Sequence, residues 1–233
     1  MRSSLQHYGS NSRTQPDLEL AEPSPRVPAV SNLPAVIGAP ALVVQQHKEM
    51  LEVFIDIETR NRYTIQLPGG QLALYAAETG EGVGAFLTRS FLKSNRPFTM
   101  RVTDPHGNLQ LTLRRPWNWF FSELHVEDAN GQPIGMIDQQ FAWFSRRFAV
   151  LDPAGNELAQ LHGPMLRPWT FRIMVGGHEV GKISKKWSGL LKEAFTDADS
   201  FGLEMGPSMS PTLRTLAMAA TFLIDFLYFE DSE

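Results

Sequence analysis

Oxygen-bearing side chains between residues 197 and 208 have the spacing of the first half of a calcium-binding loop. Asp197 and Asp199 stand at the first and third positions of such a loop, and Gly202 stands at the sixth, where a sharp turn is needed. The twelfth position holds Ser208 instead of the expected bidentate carboxylate, so the sequence predicts at most a weak calcium site. The alternative is an Asp-rich turn that caps a short helix. The candidate metal ligands are Asp197, Asp199, Phe201 and Leu203.

The remaining reactive side chains do not form a catalytic pattern. The histidines are scattered along the chain, and none is spaced as a helical metal pair. Neither a phosphate-cradling glycine loop nor a Gly-x-Ser-x-Gly motif occurs. The chain has no cysteine, which excludes disulfides, thiolate metal sites, thiol nucleophiles and S-acylation. We therefore expect that the protein is not an enzyme and that it has no cofactor apart from the calcium considered above.

Two segments, 114–121 and 141–147, place aromatic side chains beside arginines. This combination is favoured at a membrane–water interface, where rings lie at the level of the lipid headgroups and cations approach anionic lipid. The alternative is a bulged strand that packs its rings into the protein wall. Two such loops favour a membrane only if they emerge at the same end of the molecule. In the first segment the candidate lipid-contact residues are Arg114, Arg115, Trp117, Trp119 and Phe120.

A third segment, 181–190, places lysines around one tryptophan. It could touch anionic phospholipid or serve as a nuclear import signal. The alternative is a solvated edge between a strand and a loop. The candidate lipid-contact residues here are Lys182, Lys185, Lys186 and Trp187.

The segment 213–229 is the only one that is apolar nearly all the way round a helix, and such a helix has to be buried in a bilayer or in a protein core. Its charge-free run extends only from Thr215 to Ile224, whereas a membrane span needs about 20 apolar residues. Asp225 would cost roughly 2.5–3.5 kcal/mol in hydrocarbon, but in a core it could find a hydrogen-bond partner. We expect a core helix and keep a membrane span as the alternative. In either place the buried residues include Leu216, Phe222, Leu223, Ile224 and Phe226.

Upstream of this helix the chain has strand-like segments joined by regularly spaced turns. Turn signals that begin at Asp104, Asp128 and Asp152 follow one another at intervals of 24 residues, and Gly176-Gly177 falls where a fourth turn is due. Asp followed by Gly is typical of hairpins, because Gly supplies the positive φ. Around ten short strands and one hydrophobic helix predict a mainly β protein, a closed antiparallel barrel around a central helix. Closure removes exposed sheet edges, and the helix fills a lumen too wide for side chains alone.

Composition divides the chain into an arm and one domain. Residues 1–40 are rich in proline and serine without apolar periodicity, so we predict a disordered arm over 1–40 and a barrel domain over 41–233 with the helix at 213–229. The formal net charge of −4 argues against broad nucleic-acid binding. The N-terminus lacks the apolar core of a secretory signal, which is compatible with the cytosol.

Several of these segments, taken in order, resemble the phospholipid scramblase family over about residues 43–230. The resemblance is carried by six stretches of the sequence: Leu51-Glu-Val-Phe, Ala76-Ala-Glu, Arg96-Pro-Phe-Thr-Met-Arg-Val, Gly181-Lys-Ile-Ser-Lys-Lys-Trp-Ser-Gly, Glu193-Ala-Phe-Thr-Asp-Ala-Asp-Ser-Phe-Gly and Phe222-Leu-Ile-Asp-Phe-Leu-Tyr-Phe-Glu.

This resemblance implies a twelve-stranded barrel similar to the tubby C-terminal domain. It implies calcium-activated, ATP-independent movement of phospholipids between leaflets in both directions, with anionic lipids as partners and homo-oligomers possible. It also implies a membrane-associated protein that faces the cytoplasm, at the plasma membrane if the family pattern holds. The family's palmitoylated cysteine cluster is replaced by aromatic residues at 117–121, which we expect to act as a reversible anchor instead. The competing expectation is a lipid-binding or protein-interaction module without transport.

Overall fold

The computed structural model of the chain describes residues 33–47, 61–79, 96–185 and 200–229. Within these ranges, strands β1 to β12 lie between helices α1 (Leu33–Gly38) and α2 (Pro211–Tyr228). The first six strands are β1 (Ala41–His47), β2 (Arg62–Gln66), β3 (Leu72–Thr79), β4 (Phe98–Thr103), β5 (Leu109–Arg115) and β6 (Glu123–Asp128). The last six are β7 (Pro133–Gln140), β8 (Ser145–Leu151), β9 (Glu157–Pro164), β10 (Thr170–Val175), β11 (His178–Ser184) and β12 (Ser200–Met205).

The strands form one closed antiparallel barrel in which each strand pairs with its neighbours in sequence. The first strand closes the barrel by pairing with the last, with Val43 of β1 opposite Gly202 of β12. Side chains alternate between the two faces of the wall, so that Leu111 and Leu113 of β5 lie in the core while Arg114 is exposed. The predicted closed barrel of about twelve strands is therefore confirmed.

One end of the barrel, called the hairpin end below, carries the tight turns that begin at Asp104, Asp128 and Asp152. In the first of them the Asp104 carboxylate accepts hydrogen bonds from the backbone N–H groups of His106 and Asn108, both at 2.9 Å. The other two turns repeat this pattern. The glycine of each turn has the positive φ that was expected, and so do both residues of the fourth turn: Gly107, Gly131, Gly155, Gly176 and Gly177.

Helix α2 starts at the hairpin end and fills the barrel. Its first turn is capped by Ser210, whose hydroxyl accepts a hydrogen bond from the Leu213 N–H at 3.2 Å, and Pro211 occupies the first helical position. Every residue from 215 to 226 is buried, and the helix packs against β6, β7 and β12. The helix thus begins at 211 and ends at 228, close to the predicted span of 213–229.

The sequence left two placements for this helix, a protein core or a membrane span, and in the structure the helix lies in the protein core. The five residues that were expected to be buried there are at most 5% exposed: Leu216, Phe222, Leu223, Ile224 and Phe226. Among the described residues, no helix combines the length and the apolar character that a membrane crossing requires.

The hairpin end is covered by α1, which falls inside the region expected to be a disordered arm. Val36 of α1 is buried in the core, and Arg214 donates hydrogen bonds to the carbonyls of Ile37 and Ala39, both at 3.0 Å. The boundary between arm and domain therefore lies before Leu33 instead of at residue 40. The burial of one apolar side chain and the arginine bonds hold this segment where its composition gave no sign of order. Residues 1–32 lie outside the described part of the chain.

Candidate functional site

The end of the barrel opposite the hairpins carries three longer loops, at 116–122, 141–144 and 165–169, which we call the aromatic rim. They join β5 to β6, β7 to β8 and β9 to β10. Because consecutive strands of an up-and-down barrel alternate in direction, every second connection falls at the same end. The two aromatic segments seen in the sequence therefore emerge on one rim, which is the arrangement that a membrane contact requires.

The aromatic rim exposes most of the large apolar side chains that are exposed in the described residues. Leu166 is 96% exposed, Phe120 88% and Trp143 80%. Outside the rim, the only large apolar side chain exposed in the described ranges is Val175, at the hairpin end. Apolar surface concentrated in this way marks an interaction site. The exposed rim residues are Trp119, Phe120, Phe121, Phe141, Trp143, Phe144, Met165, Leu166 and Trp169.

Ring contacts join the first two loops into one surface. The rings of Phe121 and Phe141, from different loops, lie 6.4 Å apart in an edge-on arrangement. Phe141 also meets Trp143, at 5.1 Å. Within the first loop, the half-buried Trp117 supports the exposed Trp119 at 5.7 Å. Such edge-to-face pairs hold rings in defined positions, so the surface is preorganised for contact.

Cations lie over aromatic rings at the mouth of the barrel, directly inside the rim. The Arg146 guanidinium lies 4.5 Å from the ring centre of Phe171 and 4.9 Å from that of Tyr228. Burial lowers the pKa of Arg146, and the neighbouring Tyr228 acts in the opposite direction. After the end of β11, the Lys185 ammonium lies 5.0 Å from the ring centre of Phe229. These cations face the C-terminal end of α2, where the helix dipole favours positive charge.

The structure corrects the expectation that Arg115 contacts lipid. Arg115 is 2% exposed, because it follows Leu111 and Leu113 on the inward face of β5. It donates hydrogen bonds to the Ser122 hydroxyl and to the Arg96 carbonyl, and its guanidinium lies 4.8 Å from the ring centre of Phe226. It therefore anchors the first rim loop from within, in a wall position that no lipid headgroup reaches.

The other candidates of the first aromatic segment lie at the rim or next to it. Trp119 and Phe120 are exposed, and Trp117 is half-buried beneath them. Arg114 points outwards from the end of β5 and forms an ion pair with Glu127 at 3.1 Å. Their contact with lipid stays a prediction.

The lysine segment is divided between the wall and the rim. Lys182 lies on the outer wall in β11 and forms an ion pair with Glu204 at 3.2 Å. Lys185 lies at the mouth of the barrel, as described above. Lys186 and Trp187 lie outside the described residues, and their role as lipid contacts stays a prediction.

The candidate calcium segment, 197–208, is described from Ser200 onwards. From Ser200 onwards it is strand β12, where Gly202 lies between Val43 of β1 and Ser184 of β11. The sharp turn expected at Gly202 is therefore replaced by paired, extended backbone, and Phe201 and Leu203 bury their side chains in the core. Asp197 and Asp199 lie outside the described residues, so calcium binding itself stays a prediction. No cluster of three or more metal-ligating side chains occurs in the described part.

The third rim loop, with Met165, Leu166 and Trp169, was not predicted. Two signals in the sequence could have found it. Arg167-Pro168-Trp169 repeats the tripeptide Arg115-Pro116-Trp117, and residue 165 follows 117 and 141 at the same interval of 24 that spaces the hairpins. A period that sets the turns at one end of an up-and-down barrel also sets the loops at the other.

Comparisons with known proteins agree with this architecture. A family model described as Scramblase matches residues 21–231. Phospholipid scramblase 2 of Bos taurus is 32% identical over 203 residues, which cover 81% of this chain and 68% of the relative. Phospholipid scramblase 1 of Homo sapiens is 32% identical over 205 residues, covering 82% of this chain and 63% of the relative. Phospholipid scramblase family member 5 of Homo sapiens is 28% identical over 232 residues, which cover 92% of this chain and 84% of the relative.

Fold and site together define a closed barrel that is filled by its own helix and exposes an aromatic rim. The family model covers nearly the whole of this chain, and the first two of these relatives are each 32% identical to it, so the chain belongs to the phospholipid scramblase family. The matched region spans about two thirds of the length of the first two relatives.

Proposed function

We propose that the protein works on phospholipid bilayers as a scramblase-like protein, promoting ATP-independent movement of phospholipids between leaflets in both directions. Family membership supports the activity. The observation that carries the proposal is the aromatic rim, where nine exposed apolar side chains on three loops share one end of the barrel. Tryptophan and phenylalanine rings flanked by arginines partition to the level of lipid headgroups.

In this proposal the barrel docks end-on, with the aromatic rim in the interface and the hairpin end in water. Helix α2 stays inside the barrel, where residues 215–226 are buried. Lipid then crosses through bilayer that the inserted loops have disturbed, or between the members of a homo-oligomer. Both routes leave the polar path for the headgroup outside the barrel, because α2 fills its interior.

The second candidate is a membrane module that binds lipid or a partner protein and transports nothing. Its supporting observation is the same buried α2, since a helix that fills the core offers no transmembrane path. The two candidates share the docking surface and differ in whether docking speeds lipid exchange between leaflets.

Three further properties belong to the proposal. The partner is a phospholipid membrane, with a preference for anionic lipids. Calcium, if it acts, does so through Asp197 and Asp199, and its effect is weak because Ser208 replaces the last ligand. The protein is membrane-associated and faces the cytoplasm, at the plasma membrane if the family pattern holds.

Docking can be tested with the native fluorescence of the protein. Four of the five tryptophans lie in the rim loops: Trp117, Trp119, Trp143 and Trp169. With vesicles of phosphatidylcholine and phosphatidylserine we expect a blue shift, and quenching by lipids brominated near the headgroup more than by those brominated deep in the chains. Emission unchanged by vesicles would contradict end-on docking.

A matched pair of variants tests the rim itself. The change of Trp119, Phe120, Trp143 and Phe144 to Ser should abolish flotation with liposomes, because it removes the most exposed apolar surface. The control, Val175→Ser, removes exposed apolar surface at the hairpin end and should float as the unchanged protein does. Equal flotation of both variants would remove the support for the rim.

Transport is then measured directly. Liposomes with a fluorescent phospholipid in both leaflets are treated with a reductant that bleaches only the outer leaflet. Bleaching beyond the outer half, in the presence of protein and without ATP, supports scrambling. Bleaching that stops at half while the protein stays bound assigns the second candidate.

A further inference from the structure

Three cationic side chains and one histidine form a continuous row across the outer wall of the barrel. Strand register places Arg147 of β8 opposite His162 of β9, His162 opposite Arg172 of β10, and Arg172 opposite Lys182 of β11. All four point outwards, because the residues that alternate with them, such as Phe148 and Phe171, are buried in the core. We call this row the basic band. With strands about 4.8 Å apart, it spans roughly 14 Å.

The pair of Arg172 and Lys182 in this row is electrostatically unfavourable for the barrel alone, since like charges directly opposite each other on neighbouring strands destabilise a sheet. Two carboxylates relieve it in part: Glu179 lies 3.4 Å from Arg172, and Glu204 lies 3.2 Å from Lys182. Both pairs are partly exposed, and exposed ion pairs contribute little. Arg147 is exposed and forms no ion pair with any described residue. The cations can therefore turn to an external anion at small cost.

The basic band lies close to the aromatic rim. Arg147 is two residues from the rim end of β8, which places it about 7 Å below the loops along the strand. When the rim lies in the interface, a band at this depth faces the layer of phosphate groups. Charge attraction to an anionic leaflet is strongest within about one Debye length, roughly 8 Å at physiological salt.

The neighbouring part of the wall has the opposite charge. On β6 and β7, Glu123 lies opposite Asp138, and burial together with the charge of Glu123 raises the pKa of the Asp138 carboxyl. One side of the barrel is thus attracted to an anionic surface and the adjacent side is repelled, so that a docked barrel tilts with β8–β11 towards the lipid.

We propose that the basic band binds the phosphate and carboxylate groups of anionic phospholipids in the bilayer and selects anionic membranes. The inference rests on the proposed docking through the aromatic rim and adds the residues that distinguish anionic from neutral lipids. In this arrangement the rim supplies affinity for any phospholipid surface, and the band supplies the additional affinity for an anionic one.

The test compares binding to vesicles of phosphatidylcholine alone with binding to vesicles that also contain phosphatidylserine. Each cation near an anionic surface contributes about fivefold in affinity, so Arg147→Gln with Arg172→Gln should bind the anionic vesicles about 25-fold more weakly. Its binding to phosphatidylcholine should be unchanged, and its affinity should depend less steeply on salt. The matched control is Arg101→Gln, which removes an exposed arginine from β4 in another part of the wall and should change binding less than about twofold.

The outcomes separate this proposal from docking itself. The charge-conserving variant Arg147→Lys with Arg172→Lys should bind as the unchanged protein does, and it guards against a misfolded glutamine variant. Equal losses on neutral and anionic vesicles, or no loss on either, would overturn the role of the band while docking stands. Failure of the unchanged protein to bind both vesicles would overturn both proposals. If the protein bound a single-stranded oligonucleotide more tightly than anionic vesicles at the same salt, the role of the basic band in lipid binding would also be overturned.

Discussion

A buried hydrogen bond joins the barrel wall to the helix inside it. The Tyr63 hydroxyl of β2 donates to the Asp225 carboxylate of α2 at 2.7 Å, and both residues are at most 1% exposed. The Tyr63 ring also packs edge-on against Phe222, one turn earlier in the helix, at 5.0 Å. Apolar contacts alone would allow small rotations of α2, whereas a bond to a buried carboxylate fixes one orientation.

Removal of this bond should destabilise the protein. Tyr63→Phe leaves the buried carboxylate of Asp225 short of a donor, and we expect the free energy of unfolding to fall by about 2–3 kcal/mol. Asp225→Asn should cost less, because the amide oxygen can still accept from the tyrosine. Urea unfolding followed by circular dichroism measures both values. A larger loss for Asp225→Asn than for Tyr63→Phe would show that the bond is not the main contribution of Asp225.

Residue types alone could not separate the two arginines at 114 and 115. Both precede the same proline and aromatic run, and both were predicted to contact lipid. The structure buries one and exposes the other, because the strand alternates its faces up to Arg115 and only the inward face meets Ser122 and Phe226. The alternation of inward and outward residues is present in the sequence. Whether the last residue still follows it depends on where the strand ends, and the sequence does not show that.

At the scale of elements, each hairpin turn is held by the carboxylate of its first aspartate, which accepts hydrogen bonds from backbone N–H groups of the turn. Hydrogen bonds from Gln132 and Asn130 lower the pKa of Asp128, and those from Asn156 lower the pKa of Asp152. For Asp104, burial acts to raise the pKa, but the hydrogen bonds from Asn108 and His106 outweigh it and lower the pKa. In all three turns the folded state favours the ionised carboxylate.

Acid should therefore weaken the hairpin end. Because the pKa values of Asp104, Asp128 and Asp152 are lowered by folding, their contribution is fully present above the unfolded pKa, about 3.9. It is lost as the pH falls through the folded pKa values. A variant with Asn at all three positions keeps the turn geometry without the titration, so its melting temperature should fall less between about pH 5 and about pH 2. Parallel falls in the two proteins would contradict this account.

The strands and turns of the barrel were largely predictable from the sequence. The turns at the hairpin end were easier to predict than the loops of the aromatic rim. The turns at Asp104, Asp128 and Asp152 follow from local chemistry, since Asp and Gly specify them within four residues. The aromatic loops at the other end have no such local rule, and their shared location follows only from the closed alternation of the strands. The third loop, with Leu166 and Trp169, was missed because it carries fewer rings than the others.

At the scale of the whole molecule, the wall and α2 depend on each other. Burial of one large apolar side chain contributes about 1.5–3 kcal/mol, and five such residues of α2 lie in the barrel: Leu216, Phe222, Leu223, Ile224 and Phe226. Their combined contribution is of the same order as the whole stability of a typical domain, about 5–15 kcal/mol. Departure of the helix from the barrel would thus amount to unfolding. The sequence left core and membrane open for this helix because both are apolar, and only the surrounding wall decides between them.

Hydrogen exchange on vesicles tests this dependence. If α2 stays in the barrel when the protein docks, the amides of β6, β7 and β12, the strands that it contacts, should remain as protected as in solution. The rim loops should become more protected. Faster exchange in those three strands on binding would show that the helix leaves the barrel for the bilayer.

The position of α2 after β12 also bears on how the protein is made. During synthesis the wall leaves the ribosome before the segment that fills it, and β1 can pair with β12 only after β12 itself has emerged. Early folding, strand by strand, would leave the inner apolar face open to other chains. Contacts this distant in sequence also form slowly. Barrel closure therefore has to wait for the last strand, and until α2 enters the barrel the unfilled wall exposes apolar surface on which chains can aggregate.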